Sequence, residues 1–261
     1  GCNFLISNSL GRKNIVAASI YSYNTLVYAF LLSAVITFVG TFFSYDLLKI
    51  MGSTHESAML AKQYTDIIFL GTIIFLIITS FNAVLNSQGD TKTYRNVLII
   101  GLIFNIILNP IFIFGLFFIP AFGIAGLAIS TILIQFVGCI YLYFRVNKTE
   151  IKIIPKIKNF YIRRNFLINI FSQSMPITFA LFLVAVGSYM LLYFISAFGD
   201  QAIAGYGAAI RFEHLFTLPV IGLNTAVISI AGQNFGARRY ERVRDVYFKG
   251  IFIGILVMCI A

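Results

Sequence analysis

Six stretches of the chain, at about 15–43, 58–85, 95–119, 122–145, 165–198 and 201–233, are almost continuously apolar and are separated by short polar gaps. A bilayer core of about 30 Å needs roughly 20 apolar residues in a helix, so each stretch predicts a spanning helix. Residues 1–10 read as the tail of an earlier span and 247–261 as the head of a later one, which predicts eight helices, two of them partial. The runs are too long and too continuous for barrel strands, and helices satisfy their own backbone polar groups in lipid. The expected fold class is therefore all-α, a polytopic membrane helical bundle. The chain opens on Gly1 without a Met and stops at Ala261 within an apolar run, so we expect a fragment truncated at both ends; no signal peptide is recognisable.

Composition supports this. Hydrophobic residues make up 59% of the chain and charged residues 11%, too little polar surface to cover a soluble globule. The net charge of +10 is that of many nucleic-acid binders. Its placement says otherwise: sixteen of the nineteen Lys and Arg residues fall in four clusters, at 12–13, 92–95, 145–164 and 238–249, each separated from the next by two apolar runs. Basic residues near span ends stay on the cytoplasmic side, so these clusters mark the inner loops and anionic lipid headgroups, not nucleic acid, are the expected partners. Cys2, Cys139 and Cys259 are far apart and have no neighbouring Cys or His for a metal site or redox pair.

The turns Tyr45–Ser57, Ile119–Phe122 and Phe198–Gln201 are short and poor in charge, so the spans they join are antiparallel hairpins. The one extended link, Arg145–Arg164, holds seven basic residues, Glu150 and Pro155, and reads as a cytoplasmic linker. An internal echo frames it. Ser9-Leu10-Gly11-Arg12-Lys13-Asn14 returns 225 positions later as Asn234-Phe235-Gly236-Ala237-Arg238-Arg239, each a helix end, a glycine and a basic turn. Any inner helix end can look like this, but a parallel repeat of two helical halves also fits.

Asn105 and Asn109 are spaced i, i+4, on one face of their span, with Pro110 immediately after. Two amides there can coordinate a cation or serve as interhelical glue. Pro110 removes a backbone donor and loosens the helix. Asn82 and Asn86 repeat the spacing, but at the inner end of their run, where polarity costs little. Arg211, Glu213 and His214 interrupt the run 201–233 at a depth of ~15 Å, where a charge is expensive. Either they pair with neighbouring helices to fix packing, or Glu213 is a proton or cation site. Pro219 and Gly222 predict a kink in the same span. Asp66 reads as interfacial. There is no H-E-x-x-H, G-x-S-x-G or P-loop and no pair of intramembrane aspartates, so an enzyme is not expected.

The stretch Asn86-Ser87-Gln88-Gly89-Asp90-Thr91-Lys92, then Asn96, Asn105 through Asn109-Pro110-Ile111-Phe112-Ile113-Phe114-Gly115, Gly123-Ile124-Ala125-Gly126 and Ser130-Thr131 resembles the multidrug and toxic compound extrusion (MATE) transporters. The second half agrees through Pro176, Phe198-Gly199-Asp200-Gln201-Ala202, Ala204-Gly205-Tyr206-Gly207, Arg211, Pro219, Gly222 and Gly232-Gln233-Asn234-Phe235-Gly236-Ala237-Arg238. The resemblance covers essentially the whole chain. It implies two pseudo-repeated six-helix lobes, with this chain running from the end of the second span into the ninth. Residues 1–145 would then belong to the amino-terminal lobe, 146–164 to the linker and 165–261 to the carboxy-terminal lobe.

The resemblance also implies a function: antiport of Na+ or H+ against small organic, cationic compounds, by alternating access, in a monomer of the plasma membrane without a further cofactor. Asn105 and Asn109 match the family's polar pair of the fifth span, and Thr131 the sixth-span hydroxyl, as a cation site of the amino-terminal lobe. Arg211 and Glu213 would be polar elements of the other lobe's cavity or of coupling. Many members carry Asp at the position of Asn109, and some an acid on the seventh span that 165–198 lacks, which leaves the coupling ion open. The alternative is a flippase of the same superfamily for lipid-linked oligosaccharides or peptidoglycan precursors. Such flippases tend to have a more basic cavity, whereas only Arg211 lies deep in a span here.

Overall fold

The computed structural model describes residues 1–50, 55–116, 119–151 and 163–260, and the regular structure among them is entirely α-helical. The helices are α1 (Cys2–Gly11), α2 (Ile15–Ile50), α3 (His55–Leu70), α4 (Thr72–Ser87), α5 (Lys92–Phe114), α6 (Ile124–Asn147), α7 (Arg164–Ser196), α8 (Asp200–Gly236) and α9 (Tyr240–Ile260). Among the described residues, five helices are long and apolar enough to cross a membrane, and the pair α3–α4 makes a sixth if counted as one span. The greater part of the basic linker, 152–162, and part of the first outer turn, 51–54, lie outside the described residues.

The run 58–85 is the one expected span that is not a single helix. It bends by 46° between Ala58–Leu70 and Thr72–Ser87. Gly71 stands at the break, where a methyl group would lie 2.5 Å from Cδ1 of Ile132 on α6. Backbone bonding continues on either side, from the Gly71 amide to the Ile67 carbonyl (3.0 Å) and from the Ile74 amide to the Gly71 carbonyl (2.9 Å). Apolar residues run straight through the bend, so hydropathy alone shows no break.

The chain divides into two compact units. In the unit Ser22–Leu85 with Asp90–Ile162, α6 packs against α5 and α3. Small residues set the approach of α5 to α6. A methyl at Gly126 would sit 2.5 Å from the Phe112 carbonyl oxygen, and one at Gly138 2.8 Å from Cγ1 of Val97. Helix association in lipid depends on such close packing, because lipid tails are as apolar as the side chains they replace. The amides of Phe122 and Gly123 donate to the Phe112 and Ile113 carbonyls (3.0 and 3.2 Å), which closes the hairpin over the end of α5. Along α2, Thr37 Oγ1 donates to the Phe69 carbonyl (2.6 Å) and Ser44 Oγ to Asp66 (3.2 Å). Asp66 also pairs with Lys62 at 2.6 Å, so this acid is already neutralised on its own helix.

The other unit comprises Gly1–Tyr21, Asn86–Gly89 and Arg163–Ala261. Its contacts join α1, α7 and α9 to α8 and α1 to α7. α1 and α8 touch through backbone: a methyl at Gly11 would lie 1.9 Å from the Gln233 carbonyl oxygen, and one at Gly236 2.1 Å from that of Asn8. Asn3 Nδ2 donates to Ser229 Oγ (2.9 Å), the Phe4 and Phe235 rings lie 6.1 Å apart, and Gln233 Nε2 donates to the Ser87 carbonyl (2.6 Å).

The sequence echo is an echo of geometry. The amides of Arg12, Lys13 and Asn14 donate to the carbonyls of Asn8, Leu10 and Ser9, and 225 positions later those of Ala237, Arg238 and Arg239 donate to Gln233, Phe235 and Asn234. Lys13 (φ 56°) and Arg238 (φ 58°) both adopt the left-handed conformation. Equivalent residues thus close both helices in the same way.

Candidate functional site

α5 and α6 position the polar groups expected for a cation site. The first turn of α5 is capped by Asp90, which accepts the Thr93 amide (3.0 Å) and hydroxyl (2.6 Å). Arg145 near the end of α6 donates to the same Thr93 hydroxyl (3.2 Å) and stands 3.9 Å from Asp90. Burial pushes the Asp90 carboxyl up, but the Thr93 hydroxyl and amide, together with Arg145, outweigh it and hold the acid below its ordinary value. This corner fixes the inner ends of the two helices, and Gly126 fixes their outer ends.

Between these ends, the Ser130 hydroxyl donates to Asn109 Oδ1. Ser130 is fully buried and Asn109 half-buried. The same hydroxyl lies 3.0 Å from the Leu127 carbonyl of its own helix. Asn105, one turn before Asn109 and also half-buried, makes no side-chain hydrogen bond among the described residues. Thr131 spends its hydroxyl proton on the Leu127 carbonyl (2.8 Å), which leaves its oxygen lone pairs unused. Pro110 has no amide to offer the Ile106 carbonyl, one residue beyond Asn105.

Of the two asparagines, Asn109 is therefore the one joined to α6, by Ser130, a residue quoted in the resemblance but not expected to carry a role. The signal was present, since a serine aligned with a span asparagine invites a hydrogen bond, but Thr131 carried the family match. Neither asparagine lines the cavity of about 450 Å³ between α5 and α6, whose walls include Asn96, Ile100, Phe104, Leu133, Val137 and Tyr141.

The second expected group differs. Arg211, Glu213 and His214 are exposed, and none has an ion pair among the described residues. Arg211, deep in its span by sequence, is thus exposed among the described residues. The reason is where α8 packs: its buried positions, Ser229, Gly232 and Gly236, all lie in its last turns, against α1. The Glu213 backbone carbonyl accepts the Thr217 hydroxyl (3.0 Å). Asn82, expected at the interface, is half-buried, and its Oδ1 is enclosed without a partner among the described residues. Among those residues, no group of three His, Cys, Asp or Glu side chains is placed to hold a metal ion.

Comparison with known proteins adds the following. The sequence profile of the MatE family matches residues 1–111 and 176–261. The chain is 26% identical over 260 residues to "Probable multidrug resistance protein YoeA" of Bacillus subtilis (strain 168), covering 98% of this chain and 56% of that protein. It is 24% identical over 247 residues to the "FAD transporter" of Shewanella oneidensis, covering 92% of this chain and 54% of that one. A solved structure described as the outward-facing conformation of a multidrug resistance MATE family transporter of the MOP superfamily matches with a TM-score of 0.89 at 24% identity, over 98% of this chain and 56% of that one. The chain thus spans about half the length of these relatives.

Proposed function

Since the chain belongs to the MatE family of multidrug efflux transporters, we propose that it forms the core of a Na+-coupled antiporter that exports small organic, cationic compounds by alternating access. Members of this family are multi-pass membrane transporters rather than enzymes, which agrees with the spans found here.

The observation that carries the proposal is the setting of Asn109. Ser130 has one hydroxyl proton and two acceptors in reach, Asn109 Oδ1 and the Leu127 carbonyl. One proton cannot serve both. Turning the Asn109 amide resolves the conflict: Nδ2 donates to Ser130, Ser130 donates to Leu127, and Oδ1 is released. That oxygen, the unbonded Asn105 amide and the lone pairs of Thr131 are neutral oxygen donors of the kind that suits a hard cation. Neutral amides do not titrate, so this group favours Na+ over H+ as the coupling ion. Glu213, exposed on α8, is the acid through which a proton would couple instead.

We place the lobes at 1–145 and 165–261, joined by 146–164, and take the transporter to work as a monomer. A second reading changes the substrate: the Shewanella relative is called an FAD transporter, and Arg211 is an exposed span cation without an ion pair among the described residues. An anionic substrate would fit that residue better than a cationic one. Ethidium efflux from vesicles containing the intact protein, under separately imposed Na+ and pH gradients and with FAD as competitor, tests both readings. Efflux driven by Na+ alone supports the first. Transport of FAD in place of ethidium supports the second, and indifference to both gradients contradicts antiport.

A further inference from the structure

Where α1 and α8 cross, the turns that follow them line an open cavity of about 940 Å³. Arg12 and Lys13 line it from one side and Arg238 and Arg239 from the other, and no carboxylate is among its lining residues. Topology accounts for the sign of these charges, since inner loops are basic. It does not account for their convergence. That follows from Gly11 and Gly236, whose missing side chains let the two helix ends meet at backbone distance and so bring both basic turns to one place.

All four side chains are exposed, so water screens their mutual repulsion in part and an anion would relieve the rest. Four cations share one cavity, and none has an ion pair among the described residues. Glu241, the acid closest in sequence, is not among the lining residues. In addition, Lys13 and Arg238 hold left-handed backbone, a conformation that non-glycine residues adopt only at a cost. Glycine would be relaxed at either position, yet each carries a long cationic side chain, and the two are equivalent under the 225-residue echo.

We propose that this cavity binds a phosphate oxyanion, carried either by an anionic phospholipid headgroup or by a soluble polyphosphate. Arginine suits the ligand because its planar fork meets two phosphate oxygens at once, and Lys13 adds a mobile point charge. The basic turns sit at span ends, which is where headgroups lie, and a bound phosphate offsets the repulsion among the four cations. The site is separate from Asn105 and Asn109, so it stands whether or not Na+ drives transport.

The test uses the intact protein, purified in detergent and stripped of lipid. Binding of dioleoyl-phosphatidylglycerol, dioleoyl-phosphatidylcholine and inorganic pyrophosphate is measured by native mass spectrometry and thermal shift. The paired variant Arg12→Gln with Arg238→Gln is compared with the equal-charge control Arg242→Gln with Lys249→Gln, whose residues are exposed on α9 outside the cavity. We expect phosphatidylglycerol or pyrophosphate, but not phosphatidylcholine, to bind, with at least tenfold weaker affinity in the cavity pair and less than twofold change in the control. Preference for the lipid identifies a headgroup; preference for pyrophosphate identifies a soluble ligand. If the glutamine pair fails to insert, Arg12→Lys with Arg238→Lys keeps the charge and removes the fork, and a severalfold loss is expected. Equal loss in cavity and control variants, unaltered binding in the lysine pair, or no preference for phosphatidylglycerol or pyrophosphate over phosphatidylcholine overturns the proposal.

Discussion

The side chains of Ser130 and Asn109 share a hydrogen bond, which ties the buried face of α6 to the polar face of α5. An interhelical bond of this kind in lipid contributes about 0.6 kcal/mol on average and at most ~1.7. Ser130→Ala should therefore leave the intact protein folded and inserted. It should also let the Asn109 amide turn freely, so that the Na+ concentration giving half-maximal efflux rises severalfold while the KM for ethidium stays unchanged. Sodium titration of efflux checks this, and a change in ethidium KM alone would assign Ser130 to the substrate side.

Gly126→Leu should be far more damaging than Ser130→Ala. A methyl at that position already meets the Phe112 carbonyl oxygen at 2.5 Å, and backbone cannot move aside as a side-chain tip can. Overpacking costs about 1–3 kcal/mol or more, and we expect a lower thermal midpoint in detergent together with loss of efflux.

The inner corner predicts an acid sensitivity. Asp90 titrates below its ordinary value of 3.8 because Thr93 and Arg145 favour the carboxylate over the opposing effect of burial. Its folded-state value is depressed, so its contribution to stability is fully present above about 3.8 and is lost as the pH falls through the folded value. Asp90→Asn can still cap α5 but carries no charge, and should remove this part of the acid dependence. Asp90→Ala should cost in addition about 0.5–2 kcal/mol for the lost cap. Thermal melts at pH 7 and in the acid range separate the two terms. An identical pH dependence in wild type and Asp90→Asn would count against the corner.

Much of the fold was legible in the sequence because spanning helices announce themselves by length and hydropathy. Five of the six complete expected spans each coincide with one helix among the described residues, the run 58–85 is divided between α3 and α4, and the Gly11 and Gly236 echo marks two helix ends of the same geometry. What hydropathy could not show was contact. The bend falls at Gly71, where Ile132 of α6, more than sixty positions away, comes too close for a side chain, and no local pattern carries that contact. Asn109 was visible as a polar residue in a span, but its link to Ser130 depends on how α5 and α6 are rotated, which Gly126 and Gly138 set by contact. Hydropathy likewise places Arg211 deep in a span without saying what packs on it, and within this chain α8 packs through its inner turns and leaves Arg211 exposed.

The α1–α8 crossing predicts paired sensitivity. Gly11→Ala and Gly236→Ala each place a methyl against a carbonyl oxygen, at 1.9 and 2.1 Å, so each should destabilise the intact protein by roughly the same amount, about 1–3 kcal/mol. Both insertions force the same pair of helices apart, so the double variant should cost less than the sum of the two singles. A strictly additive double variant would show that the two contacts are independent and that the crossing is not one reciprocal interface.

The most direct test of the cation site is ethidium efflux by Asn109→Ala in vesicles under an imposed Na+ gradient, with the amount and orientation of inserted protein measured in parallel. We expect Na+-driven efflux to fall at least tenfold, equivalent to about 1.4 kcal/mol of lost cation binding, while insertion is unchanged. Wild-type Na+-driven efflux from the inserted variant would contradict the assignment of Asn109 to the coupling site.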